Sequence, residues 1–366
     1  MLFDPASVLA LSLGLAVALA ATPLAAKIAR KLKIVDKPNS SIKTHSRIVP
    51  YLGGIPIFLG AILPLALLAA LGIILPSPSF LGLVVCGTSV LVAGLIDDIK
   101  TAEVSHRLFF QIGISILAAA TGLRMELPFL HSFGLEGWPY YALTYFLSVF
   151  TFVGIINAFN IIDILDGFAA GVAVFAAVTL SIMSSLSGQG GLVVLGGLAV
   201  AGAALGFLRY NYHPAKIFMG DAGSTFLGFM LAGLGMLYTQ GATNPVAVFT
   251  PLVVLAIPIF DTLYVMYLRR KKGMSPLAGS KDHFALRMIA LGIDRRLTVD
   301  YIYAMAAALS VFAIVMQELE PIYFLLVFAA IALSFVGFGH ALCVAVDVPV
   351  PVEYVEKNGG VSGDRC

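Results

Sequence analysis

The side chains able to do chemistry in this chain are chiefly acids: Asp97-Asp98, Asp163, Asp166, Asp221 and Asp261 all stand at or near the ends of long apolar runs. A carboxylate leaving a membrane helix is costly unless it meets water, a cation or a metal, so this shared placement suggests a site. The string Leu95-Ile-Asp-Asp-Ile-Lys100 closes one run with two adjacent acids. Taken alone, a solvated helix end would explain it. Asn157-Ala-Phe-Asn-Ile-Ile-Asp-Ile-Leu-Asp-Gly167 is more specific, because Asn157, Asn160, Asp163 and Asp166 recur every third residue. Side chains three apart share a helical face, and a strip of amide and carboxylate oxygens suits a hard cation such as Mg²⁺. Helix capping accounts for Asp166 by itself but not for four polar residues in step.

A third string, Phe218-Met-Gly-Asp-Ala-Gly-Ser-Thr225, precedes another apolar run. Glycines flanking Asp221 allow close backbone approach by a phosphate, and the helix start that follows offers unpaired N–H groups. Phe218 could present a face to a nucleobase, although a lone aromatic at a membrane boundary more often packs or anchors. Two cationic segments complete the set. Lys43-Thr-His-Ser-Arg47 leads into Pro50-Tyr-Leu-Gly-Gly54, and Lys281-Asp-His-Phe-Ala-Leu-Arg287 sets His283 and Arg287 four apart, on one face if helical. Each run taken singly matches the ordinary cytoplasmic excess of positive charge. The histidine that each carries (His45 and His283) favours a ligand-binding reading.

The elements that must position these residues follow from composition. Of 366 residues, 60% are hydrophobic and 11% charged, with a mean hydropathy of +0.98. These values exclude an ordinary soluble domain and define an all-α, polytopic membrane protein. Runs of about 20 apolar residues predict about eleven transmembrane helices: Ser7–Ile28, Tyr51–Leu75, Phe80–Ile96, Leu108–Leu123, Tyr140–Asn157, Gly167–Leu186, Leu192–Leu208, Gly223–Tyr238, Val246–Leu268, Thr298–Met316 and Ile322–Val344. With these spans nearly all of the 22 Lys and Arg fall on one side and only Arg124 on the other. The positive-inside rule makes that side cytoplasmic, with the N-terminus outside, the C-terminus cytoplasmic and every acidic cluster in a cytoplasmic-face cleft. The net charge of +2 masks the asymmetry, because Glu126, Glu136, Glu318 and Glu320 sit outside. Cys86, Cys343 and Cys366 suggest neither a disulfide nor a zinc site. Residues 1–345 read as one integral membrane domain and 346–366 as a short cytoplasmic tail.

The ordered set Lys43-x-His45, Pro50-x-x-Gly53-Gly54, Asp97-Asp98, Asn157-Ala-x-Asn160-x-x-Asp163-x-x-Asp166-Gly167, Phe218-Met-Gly-Asp221-x-Gly-Ser224 and His283 resembles the polyprenyl-phosphate N-acetylhexosamine-1-phosphate transferases, in particular the bacterial undecaprenyl-phosphate N-acetylglucosamine-1-phosphate type. The resemblance spans nearly the whole chain. It implies transfer of a sugar-1-phosphate from a UDP-N-acetylhexosamine to polyprenyl phosphate in the cytoplasmic (inner) membrane, releasing UMP, with Mg²⁺ or Mn²⁺ as cofactor and no nucleic-acid partner. A homodimer is an option. The implied metal ligands are Asp221 and Asn160. Asp97, supported by Asp98, would orient or deprotonate the acceptor phosphate. Asp163, Asp166 and Asn157 would line the donor site, with Phe218 stacked on uracil, and Lys43, His45, Arg47, His283 and Arg287 would contact phosphates or their surroundings.

One departure narrows the reading. The family's bacterial branches carry a histidine cluster in the last large cytoplasmic loop, whereas His283-Phe-Ala-Leu-Arg287 keeps the first His and the following Arg. This argues against a muramoyl-pentapeptide donor and leaves the amino sugar open. Asp261, two turns before the basic run at Arg269, is expected to pair with an Arg or Lys rather than a metal. His106 and His213 are expected to be interfacial or structural. A secondary transporter would place its acids near the midplane of broken helices, often between repeats. No repeat is visible here and the acids lie at helix ends. A lipid-binding scaffold would explain the basic face but not carboxylates that repel phosphate.

Overall fold

The computed structural model describes residues 4–36, 48–100, 103–189, 191–241, 244 and 246–348. The cationic segment with Lys43, His45 and Arg47, and the expected tail from 349 onward, lie outside the described residues.

Eight helices are long and apolar enough to cross a membrane: α1 (Pro5–Lys31), α3 (Pro78–Lys100), α5 (Gly137–Ile162), α6 (Phe168–Leu186), α7 (Gly191–Asn211), α8 (Gly220–Gln240), α12 (Arg295–Met316) and α13 (Pro321–Ala345). Two shorter apolar helices, α2 (Gly54–Ala70) and α4 (Val104–Ala120), join them. The apolar run expected as one span over Val246–Leu268 is divided into α9 (Thr250–Val254) and α10 (Ala256–Lys271), broken at Leu255. Pro258 explains the break: it has no N–H for the carbonyl of Val254, and its ring crowds that carbonyl. A short amphipathic helix, α11 (Phe284–Ala290), follows the loop after α10. The two-residue strands β1 (Val35–Asp36) and β2 (Val49–Pro50) pair antiparallel beside α2.

Without a hydrophobic gain between helices in lipid, association depends on close packing, which small residues allow. The bundle is built this way around α8, 94% of whose apolar window is buried, whereas α13 buries 11% and faces outward. Gly94 of α3 is the decisive contact for the site. A Cβ there would lie 2.4 Å from Cα of Ala222, so only glycine lets the end of α3 meet the start of α8. That approach sets Asp97 and Asp98 beside Asp221. Two helices also run past the expected spans: α3 continues to Lys100, and α5 continues through Asn160 with Asp163 as its C-cap. Cys86 is a free buried thiol.

Candidate active site

The start of α8 poses a local problem. Its N-cap position is Met219, whose side chain cannot accept from the unpaired N–H groups of the first turn. Asp98 supplies that cap from α3: the N–H of Asp221 donates to its Oδ1 at 2.7 Å and the N–H of Ala222 to its Oδ2 at 3.2 Å. Gly220 makes room, with φ +69° and a carboxylate oxygen of Asp98 2.5 Å from where its Cβ would be. The helix start expected to receive a substrate phosphate is therefore already occupied by a carboxylate of the chain itself.

Asp221 projects from this first turn into a ring of polar groups. Asn160 donates through Nδ2 to its Oδ1 at 2.7 Å and to Ser224 Oγ at 3.2 Å. Arg107, in the first turn of α4, donates through Nη1 to Asp221 Oδ2 at 3.2 Å and to Asp97 Oδ2 at 2.8 Å. Three helices thus bring Asp97, Asp98, Asn160 and Asp221 to one place, as the sequence suggested. Arg107, which sequence reasoning did not single out, bridges two of them. The signal for it was a cation in the first turn of the helix that follows the Asp97-Asp98 pair.

The three-residue strip does not act as one ligand set. Asn157 is tied to Gln111 Oε1 at 2.6 Å and to the carbonyl of Val153 at 2.7 Å. Asp166 leaves the helical register and accepts from the N–H of Ala215 at 2.9 Å, with His213 Nδ1 at 2.8 Å. It holds the loop between α7 and α8, which makes His213 structural. Asp163 remains in the site. Burial first, and then the carboxylates of Asp221, Asp98 and Asp166, push its carboxyl well above the usual carboxylate range.

A polar cavity of about 330 Å³ opens beside these acids. Asn160, Asp163, Asp166, Phe218, Asp221 and His283 all line it. Tyr51 and Phe218 form one wall, their ring centroids 6.0 Å apart. The N–H of Phe218 donates to the carbonyl of Pro50 at 2.9 Å, which fixes that wall to β2. Arg269, Ser280 and Asp36 also border the cavity, three contributors that the sequence left unassigned.

His283 reaches the cavity with its ring set from below. Its Nδ1 lies 2.7 Å from Oδ2 of Asp261, whose Oδ1 accepts the N–H of Phe284 at 3.0 Å. Asp261 is fully buried. It pairs with a histidine and a backbone amide, not with the Arg or Lys expected. Arg287 takes a different direction. Its guanidinium is 1% exposed, donates to Asp282 Oδ1 at 2.9 Å and to the carbonyl of Val346 at 2.5 Å, and lies over the Tyr264 ring. It ties α11 to the end of α13 and does not line the cavity.

Among the described residues no group of three His, Cys, Asp or Glu side chains is arranged to hold a metal ion. The donor set still fits Mg²⁺, which takes one or two carboxylates and completes its shell with water and substrate phosphate. Asp221 and the side-chain carbonyl of Asn160 would be the groups to hold it. Asn160 here turns its NH₂ to Asp221, so ligation by both requires that amide to flip.

Residues 80–239 match the family described as Glycosyl transferase family 4. The chain is 36% identical, over 90% of its length and 92% of the other, to the "Probable undecaprenyl-phosphate N-acetylglucosaminyl 1-phosphate transferase" of Bacillus subtilis (strain 168). It is 30% identical to the "Undecaprenyl-phosphate alpha-N-acetylglucosaminyl 1-phosphate transferase" of Yersinia pestis, over 87% of each chain. The protein of that name in Escherichia coli (strain K12) is 29% identical over 86% of this chain and 85% of its own. With the acids, the asparagine and the aromatic wall gathered around Asp221, and with similarity to these relatives running along most of its length, this chain belongs to glycosyl transferase family 4.

Proposed function

We propose that the protein transfers N-acetylhexosamine-1-phosphate, most simply the N-acetylglucosamine form, from a UDP-linked sugar to undecaprenyl or another polyprenyl phosphate. The observation that carries this reading is that Asn160, Asp163 and Asp221 line a polar cavity with an aromatic wall, with Asp97 and Asp98 held beside Asp221, in a chain similar to transferases of that name along most of its length. The eleven-span plan, with the N-terminus outside and the site facing the cytoplasm, is part of the same reading, supported by the one-sided distribution of Lys and Arg.

In the reaction an oxygen of the acceptor phosphate forms a bond to the sugar-bearing phosphorus of the donor. The bond from that phosphorus to the bridging oxygen breaks, and UMP leaves with the electron pair. Both reactants are polyanions, so the protein's work is to position them and offset their charge. A bound Mg²⁺ would neutralise phosphate oxygens as charge moves to the leaving group.

The chain's own groups do the rest. Asp221 and Asn160 would hold a bound cation, while Asp98 fixes Asp221 by capping the turn that carries it. Asp97 faces the acceptor side and orients its phosphate. Phosphate has a second pKa near 6, so at neutral pH much of it is already dianionic and Asp97 need remove little proton. His283, with Asp261 behind its Nδ1, turns its other nitrogen to the donor phosphates. Tyr51 and Phe218 offer the aromatic face for the base.

The test is UMP release by purified protein given polyprenyl phosphate and a panel of UDP-amino sugars, with and without Mg²⁺. Metal-dependent release with one donor supports the reading and names the sugar; silence with every donor, in folded protein, overturns it.

A further inference from the structure

A groove of about 670 Å³ runs between α10 and α13. It shares no lining residue with the polar cavity, so nothing seated in it meets the acids. Its floor is aromatic: the Phe260 ring packs against Phe335 and Phe338, with centroids 4.8 and 6.2 Å apart. Its rim is open, since Leu263 is 62% and Val336 67% exposed on the face that the bundle turns outward.

Charge enters this groove at one end only. Lys271, the last residue of α10, lines it together with His340, and no acid does. The cations on either side of the same turn are spent: Arg269 donates to Ser280, and Lys272 to Asp282. Among the described residues Lys271 makes no hydrogen bond or ion pair. Along α13 the lining extends from Phe328 to Cys343, about 22 Å at the rise of a helix. That matches half of a bilayer with its headgroup layer, about 20–22 Å.

We propose that the groove holds an anionic phospholipid of the surrounding leaflet, with an acyl chain along Phe260, Ala332 and Val336 and its headgroup phosphate at Lys271. The inference does not depend on the transferase reading and assigns the protein a second ligand, which takes no part in the reaction. An apolar channel one leaflet long selects an acyl chain, and an unspent cation at its boundary end selects a net negative head over a zwitterionic one. The bound lipid also braces the site from behind. The face of α10 turned away from the groove carries buried Asp261, which sets the His283 ring, and buried Arg269, which borders the polar cavity.

The experiment is native mass spectrometry of the full chain, purified from nanodiscs of equal phosphatidylglycerol and phosphatidylcholine. Wild type is compared with Lys271→Gln, with Ala332→Phe, which fills the groove, and with Leu325→Phe, a lipid-facing change on α13 outside it. In parallel, diazirine-bearing phosphatidylglycerol is photocrosslinked to wild type. Phosphatidylglycerol should be retained about five-fold over phosphatidylcholine, as one interfacial lysine supplies. Lys271→Gln should abolish that preference, Ala332→Phe should lower retention of both lipids, Leu325→Phe should match wild type, and label should fall on α10 and α13. Equal retention of the two lipids by wild type, or label away from α10 and α13, overturns the proposal. So does label displaced by polyprenyl phosphate but not by phosphatidylglycerol, which would make the acceptor the occupant. A dimer that Ala332→Phe converts to monomer with lipid retention unchanged would instead make it a second copy of the chain. Should Ala332→Phe fail to fold, Lys271→Gln and the wild-type label decide. None of these readouts uses UMP release, so failure of the transferase reading leaves them intact.

Discussion

Two charged clusters border the polar cavity, and they are built on opposite principles. Around Asp261 and Asp282 every acid is matched: Asp261 by His283 and the amide of Phe284, Asp282 by Arg287 and Lys272. Asp261, Asp282 and Arg287 are all buried, and each has found its partner within the chain. Around Asp221, Asp97, Asp98 and Asp221 share Arg107, two backbone N–H groups and the Asn160 amide, and Asp163 lines the same cavity. The first cluster pairs its acids within the chain and acts as scaffold for His283. Among the described residues the second sets these acids around one hydrogen-bonded cation, Arg107, the kind of arrangement found where a site takes a ligand. Removing one acid from each should therefore have opposite consequences.

The largest effect is expected at Asp221. Asp221→Asn should lower the rate of UMP release by about 10²–10³-fold or more, as loss of a charge-stabilising group in a dry site does. The same substitution relieves repulsion, so the melting temperature in detergent without divalent cation should hold or rise. A large fall in melting temperature would erase the contrast between the clusters. Asp282→Asn is the converse. It strands Arg287, buried and held by no other carboxylate among the described residues, and should cost about 3–5 kcal/mol of stability, read as a lower melting temperature.

The contrast can be sharpened with pH. The folded-state pKa of Asp163 is raised, so its contribution to stability is fully present below the unfolded carboxylate value, about 3.9, and is lost as pH rises through the higher folded value. Metal-free protein should melt at lower temperature as pH rises over that window. Asp163→Asn should flatten the slope, and so should added Mg²⁺. A slope unchanged in both would assign the pH dependence to another group. The smallest effect is expected at the aromatic wall, where Phe218→Leu should raise donor KM by about ten-fold, within the range for loss of one base–aromatic stack, with kcat little changed.

Particular residues show how far the sequence could be read. Asp97-Asp98, Asn160, Asp163 and Asp221 were legible because a charge or amide in an apolar run is conspicuous, and the structure gathers them. Asn157 and Asp166 stood in the same three-residue rhythm yet bind Gln111 and the loop at Ala215, because rhythm specifies a face only while the helix lasts, and α5 ends at Ile162. Arg287 matched its expected helical face but not the expected direction, since that face of α11 turns toward α13. Tyr51 and Arg269 gave no signal apart from type, each being an ordinary boundary residue until packing set it at the cavity, and Arg107 was marked only by its place after the Asp97-Asp98 pair. The division of Val246–Leu268 could have been read from Pro258, and a window average of hydropathy hid it.

The chain's composition alone determined that it is helical and membrane-embedded, because in lipid a backbone must satisfy its own hydrogen bonds and only long apolar helices do so within one segment. The order of its motifs identified the family. What the tertiary structure decided is which polar groups meet: that Gly94 lets α3 touch α8, that Asp98 caps a helix more than a hundred residues later, and that Asp261 orients His283. These pairings depend on crossing points between helices, set by how small residues interlock. A crossing is a property of two surfaces at once, and so cannot be read from either segment alone.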